Sequence, residues 1–231
     1  MSSVSEMIVR EYFELHGFLV RQHRKYIARA QREDSEIDFL IFNPQPERSD
    51  QPLPSVLGSE HLRRVTRAVV VVKGWHTETF STSVLAHQPE IFRFVDPKVF
   101  KRAEKNFGGE GLLTKILVVP ALPQAEDART QSLELLKTKG IDAVIPFCTI
   151  LHDLIEGVEV NRNYQKSDLL QVIRILKNYD FLKERQMELF KPKAKRAKSS
   201  DAAPADPLAS DAHPKPEAQA DPAVSESSGS L

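Results

Sequence analysis

Two short stretches carry the residues best suited to chemistry: Asp38 in "SEIDFLIF" and Lys73 in "AVVVVKGW". Both stretches read as strands, rich in β-branched and aromatic residues. Side chains along a strand alternate faces, so Asp34, Glu36 and Asp38 share one face of the first, if it reaches back that far, and Val69, Val71 and Lys73 share one face of the second. If the two strands pair, Asp38 and Lys73 meet at one end of the sheet. A carboxylate beside a lysine on a rigid sheet edge can hold a hard metal ion and stabilise charge on a phosphate.

The elements that must position these residues follow from the rest of the pattern. Ser5 to Leu15 has apolar residues near helical spacing, with Ser5 as the expected N-cap and Gly17 as a left-handed stop. Phe18 to Ala28 and Glu36 to Phe42 read as strands. Asn43 to Arg64, with four prolines, reads as a long loop. Val65 to Lys73 is the next strand. A helix is expected within 84 to 106, broken at Pro89 or Pro97. Leu113 to Val119 and Ile141 to Phe147 read as strands. Between them, Glu126 to Lys139 is an amphipathic helix closed by Gly140. His152 to Glu156 sits in a short helix, and Ser167 to Lys177 is a helix capped by Ser167. This order predicts an α/β domain over 1–190, a mixed β-sheet flanked by helices. From Lys191 the chain turns to proline, alanine, serine and charge, basic first and acidic after, which predicts a disordered tail over 191–231.

Bulk composition excludes several classes. Formal net charge is zero, so the chain does not announce a nucleic-acid binder, although a local patch remains compatible with it. The single cysteine, Cys148, allows no internal disulfide, which fits a reducing cytoplasm, and no Cys/His spacing matches a zinc motif. Cys148 reads as a small buried hydrophobe rather than a nucleophile. No run of roughly 18 apolar residues exists to span a membrane. "NFGGEG" lacks the lysine of a phosphate loop and reads as a turn. His16 and His23 read as surface positions. Arg21, Arg24, Lys25 and Arg29, with Tyr26 among them, read as a charged strand edge that could also touch a nucleic-acid backbone. His76, beside Lys73 and Trp75, could approach a phosphate.

The order helix, strand, Asp-bearing strand, strand ending in x-x-Lys, then helix and strand resembles the PD-(D/E)xK, or restriction-endonuclease-like, nuclease superfamily over residues 5 to 150. Asp38 and Lys73 are the matching positions. The resemblance implies a restriction-endonuclease-like core, Mg²⁺ as cofactor, nucleic acid as substrate and phosphodiester hydrolysis as the reaction. It makes Asp38 a metal ligand and Lys73 the group that orients the attacking water, with Glu11 or Glu14 as an auxiliary acid from the first helix. The pattern also requires an acid two residues before the lysine, where this chain has Val71. Glu36, on the Asp38 face, and Glu78, past the end of the strand, are the candidate substitutes, and Glu36 with Asp38 would then form the metal site. Three expectations follow: a nuclease with a rearranged or impaired metal site, a nuclease-like domain that binds nucleic acid without cutting, or a scaffold that binds a protein partner.

Overall fold

In a computed structural model, residues 3–22, 37–107 and 112–182 are described, and all structural statements below concern them. The chain divides into Met1–Gln186 and Met187–Leu231. The expected tail lies outside the described residues, as do Glu36, Arg24, Lys25, Arg29, His23 and Gly108–Gly111 of "NFGGEG".

The elements run α1 (Ser3–Leu15), β1 (Leu19–Gln22), β2 (Phe39–Phe42), α2 (Ser59–Leu62), β3 (Arg67–Val72), α3 (Thr82–His87), a 3-10 helix (Pro89–Val95), α4 (Pro97–Asn106), β4 (Thr114–Val119), α5 (Glu126–Thr138), β5 (Ala143–Pro146), α6 (Phe147–Gly157) and α7 (Asp168–Asn178). The strands form one sheet in the order β1-β2-β3-β4-β5. β1, β2 and β3 pair antiparallel, and β3, β4 and β5 pair parallel, so the sheet is mixed.

The run of valines follows from this topology. β3 is the central strand and is covered on both faces, so every residue from Ala68 to Val72 is buried. Ala68, Val70 and Val72 join Val9, Tyr12 and Phe13 of α1, Ile150 and Leu154 of α6 and Leu170 and Ile173 of α7 in one core cluster. Val69 and Val71 join Phe80, Leu85 of α3, Ile91 and Phe94 of the 3-10 helix, Leu117 of β4 and Leu136 of α5 in the other.

Local signals behave as their chemistry dictates. Gly17 and Gly140 have φ of 81° and 89°, conformations that an L side chain resists. Ser167 Oγ accepts the Leu170 N–H at 3.2 Å and caps α7. Pro89 and Pro97 each open a helix, so the expected single helix is three pieces.

Four expectations are corrected. α1 begins at Ser3, so Ser5 lies inside the helix rather than at its cap. Within the Phe18 to Ala28 stretch Leu19–Gln22 is a strand, as expected, and residues 23–28 lie outside the described residues. The loop from Asn43 to Arg64 holds α2, and its Ser55–Leu57 segment exchanges backbone hydrogen bonds with Val144, covering the outer edge of β5. α6 has 11 residues, longer than the short helix expected over His152 to Glu156, and it starts directly at the end of β5. Its buried stripe is Phe147, Ile150 and Leu154, which turns Cys148 out to solvent rather than into the core.

Candidate functional site

β2 runs against β3, so the start of one strand and the end of the other reach the same end of the sheet. Phe39 pairs with Val70, and the Asp38 N–H donates to the Val70 carbonyl at 3.1 Å. That register, continued by one residue, sets Asp38 opposite Val71. Asp38 is 2% exposed, and its Oδ2 accepts the Val72 N–H at 2.7 Å. The carboxylate therefore closes the β2–β3 ladder where the backbone pairing stops. Lys73 follows β3, and its N–H donates to Val118 O at 3.0 Å, extending the parallel pairing with β4. Lys73 is 8% exposed, and its Nζ lies 5.9 Å from the Trp75 ring centroid.

The chain then turns sharply. Glu78 N–H donates to Trp75 O at 2.8 Å, closing a turn over Trp75–Glu78. Ser5 Oγ and His76 Nε2 share a hydrogen bond of 2.9 Å, and the His76 ring meets Phe147 edge-on at 4.5 Å. Gly74 permits this approach. A Cβ there would stand 2.7 Å from Ser5 Oγ, inside van der Waals contact. Gly74→Ala is thus expected to cost about 1 kcal/mol through overpacking, read as a lower urea midpoint. An unchanged midpoint would show that α1 gives way freely there.

The surroundings of position 71, two residues before Lys73, are now defined. Val71 is 1% exposed within the apolar cluster on the α3 and α5 face. α1 covers the opposite face of the sheet. On α1, Glu11 is buried and 3.5 Å from Arg10 Nη2, while Glu14 is exposed and 3.4 Å from Arg10 Nε. Helix phase therefore turns Glu11 inward and Glu14 outward. Neither reaches the Gly74 end with Ser5, because the six residues from Ser5 to Glu11 advance about 9 Å along the axis. Glu78 is exposed beyond the turn. Arg21 is exposed on the edge strand β1. The structure thus brings Asp38, Val71 and Lys73 to one end of the sheet and leaves Glu14, Glu78 and Arg21 on the surface.

Sequence reading gave no weight to Ser5 as a partner of His76, or to a cluster at the other end of α1. There His16 is part-buried, not the surface residue expected, and its Nε2 stands 3.5 Å from Asp153 Oδ2. No periodicity links residues so far apart in the chain. Among the described residues no helix is long and apolar enough to cross a membrane. No protein-family model, curated protein or solved structure matches this chain.

Proposed function

We propose that the chain is a nuclease-superfamily domain with an impaired hydrolytic site, which holds nucleic-acid backbone without cutting it. One observation carries the reading. The position where the superfamily places its second metal-binding acid is Val71, buried among apolar side chains, while the remaining carboxylate, Asp38, gives one oxygen to the Val72 N–H. Mg²⁺ is usually held through one or two carboxylates together with waters and substrate phosphates. Among the described residues Asp38 is the carboxylate at this end of the sheet, and one already engaged by the backbone is a poor anchor for the ion; Glu36 lies outside the described residues. Glu14 and Glu78 point to solvent, and Glu11 lies on the helix that covers the other face.

What supports binding is the composition of the same end of the sheet. It lies at the C-terminal ends of the parallel strands, where open α/β sheets commonly take ligands. Lys73, Trp75 and His76 combine a cation, an aromatic face and an imidazole there. His76 is exposed and Trp75 half-buried, so solvent-borne groups reach the imidazole and an aromatic face on which bases can stack.

The test is a paired assay of the full chain on single- and double-stranded DNA and on RNA. Binding is expected at low salt, weakening steeply as salt rises because phosphate contacts release counterions, with no cleavage in Mg²⁺ or Mn²⁺. Metal-dependent cleavage that disappears in both Asp38→Ala and Lys73→Ala would overturn impairment and restore a working, rearranged nuclease site. Absence of binding even at low salt would remove nucleic acid as the ligand.

A further inference from the structure

At the far end of α1 from Ser5, three side chains of α6 present metal-ligating atoms together. One ligand atom from each of His152, Asp153 and Glu156 lies within 4.8 Å of the others. His152 Nε2 is 3.2 Å from Glu156 Oε1, and His152 Nδ1 is 3.8 Å from Asp153 Oδ1. The spacing has a simple origin: residues four apart on a helix stand on one face, and Asp153 reaches across from the adjoining position.

An exposed acidic pair with a histidine would by itself be ordinary helix surface. The groups behind Asp153 make it different. Tyr12 is fully buried, and its Oη finds no hydrogen-bond partner among the described residues. Asp153, Ser59 and Glu60 are the polar groups that act on that hydroxyl. The Tyr12 ring meets the His16 ring edge-on at 4.8 Å. His16 Nε2 faces Asp153 Oδ2 at 3.5 Å, and both atoms are buried and also lack a hydrogen bond. His16 therefore stands at one oxygen of a carboxylate whose other oxygen faces His152, with the buried Tyr12 hydroxyl acting on the same carboxylate.

We infer that His152, Asp153 and Glu156 form a binding site for a divalent transition-metal ion of the Zn²⁺ type, with Tyr12 and His16 positioning Asp153 from behind. A mixed imidazole–carboxylate donor set suits such ions better than Mg²⁺, which takes oxygen ligands. Metal-bound carboxylates and histidines are typically held by an outer layer of hydrogen bonds, the role that Tyr12 and His16 are placed to fill. The side chains of His152 and Glu156 are 51% and 67% exposed, which leaves the ion an open approach and room for solvent or a ligand in its coordination sphere.

The test is titration of the full chain with Zn²⁺ against a chromophoric chelator. Saturable binding of one Zn²⁺ per chain is expected, with affinity reduced at least about tenfold in His152→Ala and in Glu156→Gln. Both substitutions sit on exposed positions, so circular dichroism should show folded variants. Millimolar Mg²⁺ should not compete. Lack of saturable binding, or affinity unchanged in both variants, overturns the site. Equal competition by Mg²⁺ overturns its assignment to a transition metal.

Discussion

Asp38→Ala is expected to lower the unfolding free energy by about 3 kcal/mol, because it strips a buried backbone N–H of its carboxylate partner. For a domain of this size that corresponds to a fall in melting temperature of roughly 6–12 °C. The reason is the place of the side chain in the sheet. Oδ2 accepts the Val72 N–H at 2.7 Å, and Val72 is itself buried in the core cluster shared with α1 and α6. No water reaches that N–H to replace the lost acceptor. Asp38→Asn keeps an oxygen in position and should recover part of the loss. A residue kept only to bind metal behaves in the opposite way, since removing a buried carboxylate relieves a desolvation cost. Urea unfolding of the two variants separates the cases: an Asp38→Ala midpoint equal to or above that of the wild type would refute the ladder-closing role.

The second large effect is expected at Val71. Val71→Asp places an acid two residues before Lys73, as the superfamily pattern has it, yet it should destabilise the fold by about 3–5 kcal/mol. The new carboxylate would enter the apolar cluster of Phe80, Leu85 and Leu117, opposite Asp38 across the β2–β3 pair. Like charges directly opposite on antiparallel strands repel, and burial amplifies the repulsion. A divalent cation bridging the two carboxylates would offset it. The melting temperature of Val71→Asp should therefore rise on adding Mn²⁺, while that of the wild type stays constant. Gain of Mn²⁺-dependent phosphodiester cleavage in the variant alone would support descent from a working site. A variant as stable as wild type would mean that position 71 is not the apolar position described, and a variant indifferent to Mn²⁺ would separate residues 38 and 71 as co-ligands.

Both predictions rest on features that differ in how far they could be read in advance. The alternation around Asp38 and Lys73 placed each on its strand face, and antiparallel pairing then carried both to one end of the sheet. The placing of Val71 on the face of Lys73 was visible for the same reason, since their spacing is local. The ladder-closing hydrogen bond of Asp38 was not visible, because it depends on the register between strands separated by the long Asn43 to Arg64 segment. The choice between Glu11 and Glu14 was likewise open. Hydrophobic periodicity in α1 is compatible with more than one rotation of the helix, and contact with α6 and the sheet selected it. The full length of α6 was hidden because β5 passes into it at Pro146 without a polar loop, so the apolar run of the strand masked the helical stripe of Phe147, Ile150 and Leu154.

What the amino-acid order determined by itself is everything enforced over a few residues. Gly17 and Gly140 stop helices because they alone take positive φ at no cost, Ser167 caps α7 with its own hydroxyl, Pro89 and Pro97 start new helices, and the valines of β3 demand cover on both sides. Only the tertiary structure decided which distant groups meet: Ser5 with His76, Asp38 with the Val72 N–H, Tyr12 and His16 with Asp153. Those meetings are set by strand register and by how α1 beds onto α6, and both emerge from burying one continuous core rather than from any local preference.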